Sequence, residues 1–349
     1  MLPNIYHTIA LTKIRRTRKM SGHGEILVKV GQKLNASDKI ADIDLDNKYQ
    51  ALNIKKLLNL NSNQDARRSI ELEEGKRLKA GDLIAESNGL TKKVVKAEKD
   101  SEVLLINGNL VLLKINQNPL PLYAGFDSIV SEILPNYGVV LETNGSLIQG
   151  VWSNQRTNSG LLINLTSQPE EEFLPKMLEV NHRGAVLMGG YCRNINVLKN
   201  ARDLPVKGLI LSGMHPDLIP AALEAVFPII LIEGFSPCPM NLRAYDLLKS
   251  NEKREVSISG IYNKNENEKP EIIVPLPADA ELPVEYTEYK NGMIVRVNQG
   301  LFQGKAGIIR KIVGNTVTLF NGVKTICAVV QFNEEDQASI PLANLDILE

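Results

Sequence analysis

Three cysteines, Cys192, Cys238 and Cys327, are too few and too scattered to cross-link a chain of 349 residues. No Cys-x-x-Cys pair occurs, which argues against a zinc knuckle or a disulfide framework and fits a reducing, cytoplasmic setting. Histidine is equally sparse. His7, His23, His182 and His215 lie in no HExxH motif, so neither a metal nor another cofactor is expected. Aromatic residues make up only 5% of the chain, which leaves little for base-stacking platforms. Neither sign of charge is in excess, with 40 Lys plus Arg against 40 Asp plus Glu, so no broad electrostatic grip on nucleic acid or an anionic membrane is expected. No apolar run approaches the length of a membrane helix; Ala225 to Ile232, among the longest, holds Pro228. Arg15, Arg16, Arg18 and Lys19 follow the mildly apolar start rather than precede it, so no signal peptide is expected.

What is present is a chain long enough for about two to four domains, organised around residues 184–261. Gly184–Met188, Val206–Leu211 and Phe227–Ile232 are apolar runs, and Val256–Ile261 is a fourth strand. Between them, helical spacing appears at Val197, Leu198, Ala201 and Leu204, at Leu218, Ile219, Ala222, Leu223 and Val226, and at Leu242, Tyr245 and Leu248. Strands without polar alternation imply burial on both faces, hence a central Rossmann-like parallel α/β domain over 176–277.

Such sheets bind ligands beyond the carboxyl ends of their strands. The residues there are Gly189, Gly190 and Arg193, then Ser212, Gly213 and His215, then Glu233 and Gly234. Glycine before a helix allows close approach of an anion. It equally serves to end a strand, and this plainer reading is favoured because neither GxGxxG nor GxxxxGK[ST] occurs. Ser212 near His215 lacks the GxSxG elbow, and Cys238 between two prolines reads as a turn residue, so no catalytic set is expected.

Residues 1–118 contain an internal repeat. Gly31-Gln-Lys-Leu34-Asn-Ala36-Ser-Asp38-Lys-Ile40-Ala41 is echoed by Gly75-Lys-Arg-Leu78-Lys-Ala80-Gly-Asp82-Leu-Ile84-Ala85. This resembles the first hairpin of the barrel-sandwich hybrid fold of biotinyl and lipoyl carrier domains. Those carriers hold a modifiable lysine at a later hairpin tip; here ungapped alignment puts Asn47 and Thr91 at that position, so Lys48 and Lys92 read as ordinary surface residues. The basic cluster Lys13 to Lys19 reads as a solvated strand edge or loop. Tyr49–Leu60 reads as helical, Pro119–Gly125 as a linker, 119–175 as further strands and 278–291 as a second linker. Trp152, the single tryptophan, reads as core.

Residues 292–349 carry Arg296, Gly300, Phe302, Gly304, Lys305 and Gly307 within two alternating segments. With the turn Asn321-Gly322 and three later strand signals, they suggest a small SH3-like barrel. The segment resembles a KOW domain of the NusG and ribosomal-protein type. That resemblance implies contact with RNA or with a protein of the gene-expression machinery. The basic residues of the segment are matched by acids, so no phosphate grip is evident.

The expectation is thus a multidomain protein of α/β plus all-β type, non-enzymatic, binding or scaffolding. Two alternatives stay open: a small-molecule or nucleotide-binding enzyme or sensor using the α/β strand ends, and a homo-oligomeric structural subunit.

Overall fold

The computed structural model describes residues 4–44, 48–87, 92–115, 119–264, 268–283, 287–319, 322–333 and 336–348. The carrier positions Asn47 and Thr91, and Asn321 of the expected hairpin turn, lie outside them. The chain is mostly β, 46% strand against 15% helix, and one sheet curls into a half-barrel.

This composition overturns the expected central Rossmann-like domain. Ala185–Cys192, Gly208–Met214 and Ile229–Gly234 do pair in parallel, with the helices Ile195–Asp203 and Ile219–Glu224 in the connections. They do not form a sheet of their own. Glu255–Ser259, which overlaps the expected fourth strand at Val256–Ile261, runs antiparallel to Thr157–Asn164. The sheet then continues antiparallel through Glu271–Pro275 to Gly138–Gln149, and Trp152–Ser153 closes the other edge antiparallel to Ile229–Gly234. The three parallel strands are therefore a patch within an eleven-stranded mixed sheet. A continuous apolar run reports burial of both faces; it carries no information on where the sheet stops or which way its neighbour points.

Burial on both faces is what the strands have. Leu187, Leu209, Leu211, Ile229 and Leu231 pack one face against Val197, Leu198, Ala201 and Ala222. Val186, Met188, Ile210, Ile230 and Ile232 pack the other against Ala244, Tyr245 and Leu248 of the helix Leu242–Ser250. Each such aliphatic side chain contributes roughly 1.5–3 kcal/mol by burial. Trp152 is only half-buried and meets Phe235 edge-on at 5.5 Å.

The two repeat copies adopt the same backbone. Gly31 and Gly75 both have φ of 83°. Asp38 Oδ2 accepts from Asn35 N, and Asp82 Oδ2 from Lys79 N, each at 2.8 Å. The correspondence extends further than the repeated segment itself. Asp127 Oδ1 accepts from Ala36 N at 2.9 Å, and Asp100 Oδ1 from Ala80 N at 2.8 Å. Gly31 N donates to Val130 O, and Gly75 N to Val103 O. The complementary halves are Ala124-Gly-Phe-Asp127-Ser128-Ile-Val130 and Ala97-Glu-Lys-Asp100-Ser101-Glu-Val103. The second unit thus lies inside the first, between its two halves. Each keeps its own core, Ile54 to Leu113 in the inner and Val28, Leu34, Ile40, Phe126 and Val130 in the outer.

Nesting also accounts for two elements that differ from the sequence expectation. The expected linker contains the strand Leu120–Tyr123, which pairs with Lys39–Ile43 because the outer unit resumes there. The expected helix over 49–60 begins as the strand Lys48–Asn53, paired to Leu110–Ile115, and turns helical only over Ile54–Leu58.

The strand Thr8–Lys19 lies along nearly the whole of Gly138–Gln149. Most charges of its basic cluster are met within the protein: Arg15 pairs with Glu132 at 2.8 Å, Arg16 with Glu271 at 2.5 Å, and Arg18 Nε donates to Ala124 O. At the other end, Asn4–Tyr6 runs parallel to Leu345–Leu348 and so completes the six-stranded C-terminal sheet.

Candidate functional site

The carboxyl ends of the three parallel strands do come together: Tyr191 lies opposite Gly213, Cys192 opposite Met214 and Gly213 opposite Gly234. Gly189 and Gly190 lie inside their strand, not in a turn after it. A Cβ on Gly190 would stand 1.6 Å from Glu171 O, and one on Gly189 2.7 Å from the Phe173 ring. The room left by these glycines is taken by the segment 171–173, pinned by Phe173 N donating to Tyr191 O. Gly213 is likewise closed in, since a Cβ there would meet Gly234 O at 2.7 Å and Ser236 O at 2.9 Å. Gly234, at φ of 106°, requires glycine for its backbone.

The polar candidates divide. Arg193 is exposed and pairs with Glu172 at 3.1 Å. His215 caps the short 3-10 helix Pro216–Leu218, its Nδ1 accepting from Asp217 N. Ser212 is buried, and its Oγ has no hydrogen-bond partner. Glu233 is buried and bonded at both oxygens. Its Oε1 accepts from Asn241 N at 2.9 Å and Asn241 Nδ2 at 2.6 Å, while Oε2 accepts from Arg296 Nη1 at 3.2 Å.

Arg296 belongs to the six-stranded C-terminal sheet, in the strand Ile294–Val297. Its Nη1 also donates to Ile232 O at 2.8 Å, and its Nη2 stands 3.6 Å from Asp346 Oδ2. The Tyr6 ring lies 4.9 Å from the guanidinium carbon. Burial, and after it Asp346, pushes the Tyr6 phenol up to about 12. Beside this cluster a Cβ on Gly304 would come within 3.2 Å of Cys238 Sγ. Burial and then Glu233 push that thiol up to about 11. The C-terminal sheet therefore seats itself on the strand ends, through Arg296 and the turn at Gly304, and Arg296 meets Glu233 where the small-molecule alternative would place a ligand.

The other residues singled out between Gly300 and Gly307 stay within the C-terminal unit. Gly300 has φ of 101° and Gly304 of 83°, which suits their turns. Gly307 is extended; a Cβ there would meet Gln331 O at 2.6 Å. Phe302 stacks on Phe332 at 5.0 Å with 11° between planes, and Lys305 Nζ lies over both rings. Lys305 is also paired with Asp336 at 3.3 Å. Leu301, at the tip of this turn, is 97% exposed.

Asp346, Tyr6, Asn241 and Asn298, which donates to Asp346 Oδ1 at 3.1 Å, were not singled out in the sequence. One signal was available: Arg296 and Asp346 are lone charges in the apolar strands Ile-Val-Arg-Val and Leu-Asp-Ile-Leu. Such charges are seldom buried unless paired.

Among the described residues no group of three or more His, Cys, Asp or Glu is placed to hold a metal ion. Nor, among them, is any helix long and apolar enough to cross a membrane. No protein-family model matches the chain, and no curated protein matches it.

Proposed function

We propose that this chain is a cytoplasmic, non-enzymatic binding or scaffold protein. Its KOW-like barrel contacts a protein surface of the gene-expression machinery, ribosome or RNA polymerase. The observation that supports this most is the turn Gly300–Gly304, which holds Leu301 almost wholly in solvent beside the stacked Phe302 and Phe332. An apolar tip beside aromatic rings suits a protein surface better than a phosphate backbone. Lys305, which lies over both rings, is already partnered by Asp336. The strand ends favour the small-molecule alternative less, because Glu233 is engaged at both oxygens by Asn241 and Arg296.

The experiment is co-sedimentation with purified ribosomes and, separately, with core RNA polymerase, using wild-type protein and Leu301→Asp. Binding to either partner that the substitution abolishes supports the reading. Binding to naked RNA that steepens at low salt and ignores Leu301→Asp would replace it with an electrostatic RNA contact.

A further inference from the structure

The inner nested unit turns one sheet face to solvent. Its strands Lys48–Asn53, Ser101–Asn107 and Leu110–Ile115 send Val103, Val111 and Leu113 into the unit's core. The opposite face carries Leu105, Leu112 and Ala51 in one row across the three strands. Leu110 with Asn53 lies on one side of that row, and Lys114 with Glu102 and Tyr49 on the other. Opposed residues share a face, so these rows point the same way. Tyr49 is 58% exposed, Leu105 48% and Leu110 45%.

The internal repeat supplies a control. The outer unit pairs Ser128–Leu134 with Gly138–Gln149 in the same register and with the bulge at the same place, so Glu132 lies opposite Val140 as Leu105 lies opposite Leu112. The strand Thr8–Lys19 stands where Lys48–Asn53 stands in the inner unit. Arg15, opposite Glu142, therefore matches Tyr49, opposite Lys114. On that outer face Arg15 pairs with Glu132 at 2.8 Å and with Glu142 at 3.5 Å. The same backbone thus carries a charged face in one copy and an apolar face in the other. Folding does not require leucine at 105 or tyrosine at 49, and a cluster of exposed apolar side chains without a folding role marks a contact surface.

Size selects the occupant. Three such strands present a face about 14 Å wide and about 20 Å long, roughly 300 Å². A stable complex of two folded proteins buries about 800 Å² on each side, so a second copy docked face to face falls short. A single α-helix is about 10–12 Å across and covers about 20 Å in four turns. The central sheet covers one of its own faces in this way, with Ala244, Tyr245 and Leu248 of the helix Leu242–Ser250. Charge then orients the helix. Glu102 and Lys114 are directly opposed and balance each other. At the other end Asn53, the partner of Leu110, also lines an open cleft of about 650 Å³ together with Asn109, Lys55 and Lys56. No carboxylate lines that cleft. Glu74 accepts from Ile106 N at 2.8 Å, two strands away from Asn53.

We propose that this face binds an amphipathic helix of another protein. The apolar stripe of that helix lies on Leu105, Leu110 and Leu112, and its acidic end enters the cleft at Lys55 and Lys56. Anchors spaced i, i+3, i+4 and i+7 bring one side of a helix onto such a surface. The face belongs to a different unit from the turn at Leu301, so the proposal stands apart from the contact assigned to that turn.

Fluorescence anisotropy on the full chain tests this with three labelled synthetic peptides of about 18 residues. The first sets leucine at i, i+3, i+4 and i+7 with glutamate in the first turn. The second has lysine for each glutamate, and the third scatters the same leucines around the helix. The first should bind about tenfold or more tightly than either of the others. Lys55→Glu with Lys56→Glu should reverse the preference between the first and second peptides. The triple variant Tyr49→Arg, Leu105→Glu, Lys114→Glu gives the inner face the charges of the outer one. It should bind the first peptide about tenfold or more weakly while its melting temperature stays unchanged. Leu105→Glu alone should do the same if the triple variant melts early, and Leu301→Asp should leave binding unchanged. No binding up to about 1 mM would overturn the proposal, as would equal binding of all three peptides. So would binding that survives both Leu105→Glu and the triple variant, or that Leu301→Asp abolishes. A wild-type dimer in sedimentation that the triple variant dissolves would assign the face to a second copy instead.

Discussion

Arg296 Nη1 stands 3.2 Å from Glu233 Oε2, with both side chains almost completely buried and 63 residues apart in the chain. The pair joins the carboxyl end of a parallel strand to the six-stranded C-terminal sheet. Glu233 is fixed on its other side by Asn241, and Arg296 is also shared with Asp346. Replacing Arg296 with Met would leave two buried carboxylates without their cation. The expected cost is about 3–5 kcal/mol, read as a fall in the urea midpoint. The triple variant Arg296→Met, Glu233→Gln, Asp346→Asn should recover much of that loss, because no uncompensated charge remains.

His7 gives the chain a pH dependence of known sign. Burial, then Lys269 and Arg16, lower its imidazole from an ordinary 6.5 to about 4. The folded state therefore favours neutral His7, and the unfolded state binds the proton first. Stability from this group is complete above about pH 6.5 and is lost as pH falls towards 4, by up to ~3 kcal/mol. Melting temperatures from pH 7 to 4 should fall less steeply for His7→Gln than for the wild type.

Two glycines test whether space or backbone conformation makes the residue necessary. Gly190→Ala puts a Cβ 1.6 Å from Glu171 O, so the segment 171–173 must move. A loss above roughly 3 kcal/mol is expected. Gly75→Ala meets no atom within 4 Å but sits at φ of 83°. Only conformational strain remains, about 1–2 kcal/mol. Urea denaturation of both variants distinguishes the two causes.

The nested repeat predicts matched effects. Asp38→Ala and Asp82→Ala each remove a carboxylate that accepts a backbone N–H at 2.8 Å in an equivalent turn. Each should cost about 1–2 kcal/mol. The two turns belong to separate cores, so the double variant should lose the sum. A double variant that loses much less would show the two units to be energetically one.

Thiol chemistry should be slow. Cys192 and Cys327 are buried, and the Cys192 thiol is pushed up to about 12 by burial. Cys238 is more accessible but shifted up to about 11. At pH 8 an aromatic disulfide reagent should label none of the three rapidly in the native state, because the thiolate is the reactive form. Arg296→Ala should speed labelling of Cys238 selectively if it loosens the C-terminal sheet from the strand ends.

The amino-acid order by itself determined the local elements. Apolar runs at Val206–Leu211 and Phe227–Ile232 had to be buried on both faces, and Gly31 and Gly75 had to open equivalent turns, because these follow from solvation and backbone sterics within a few residues. Only the tertiary structure decided how the elements were joined. The direction of Glu255–Ser259, the interruption of one unit by its own copy, and the use of Asn4–Tyr6 to finish the last sheet all depend on pairings between distant segments. The same holds for Glu233, whose character as a lone carboxylate after a strand was legible, while its partner on another sheet was not. Strand pairing is made by backbone hydrogen bonds that are nearly blind to side-chain identity, so hydrophobic pattern constrains the face of a strand far more tightly than its neighbour.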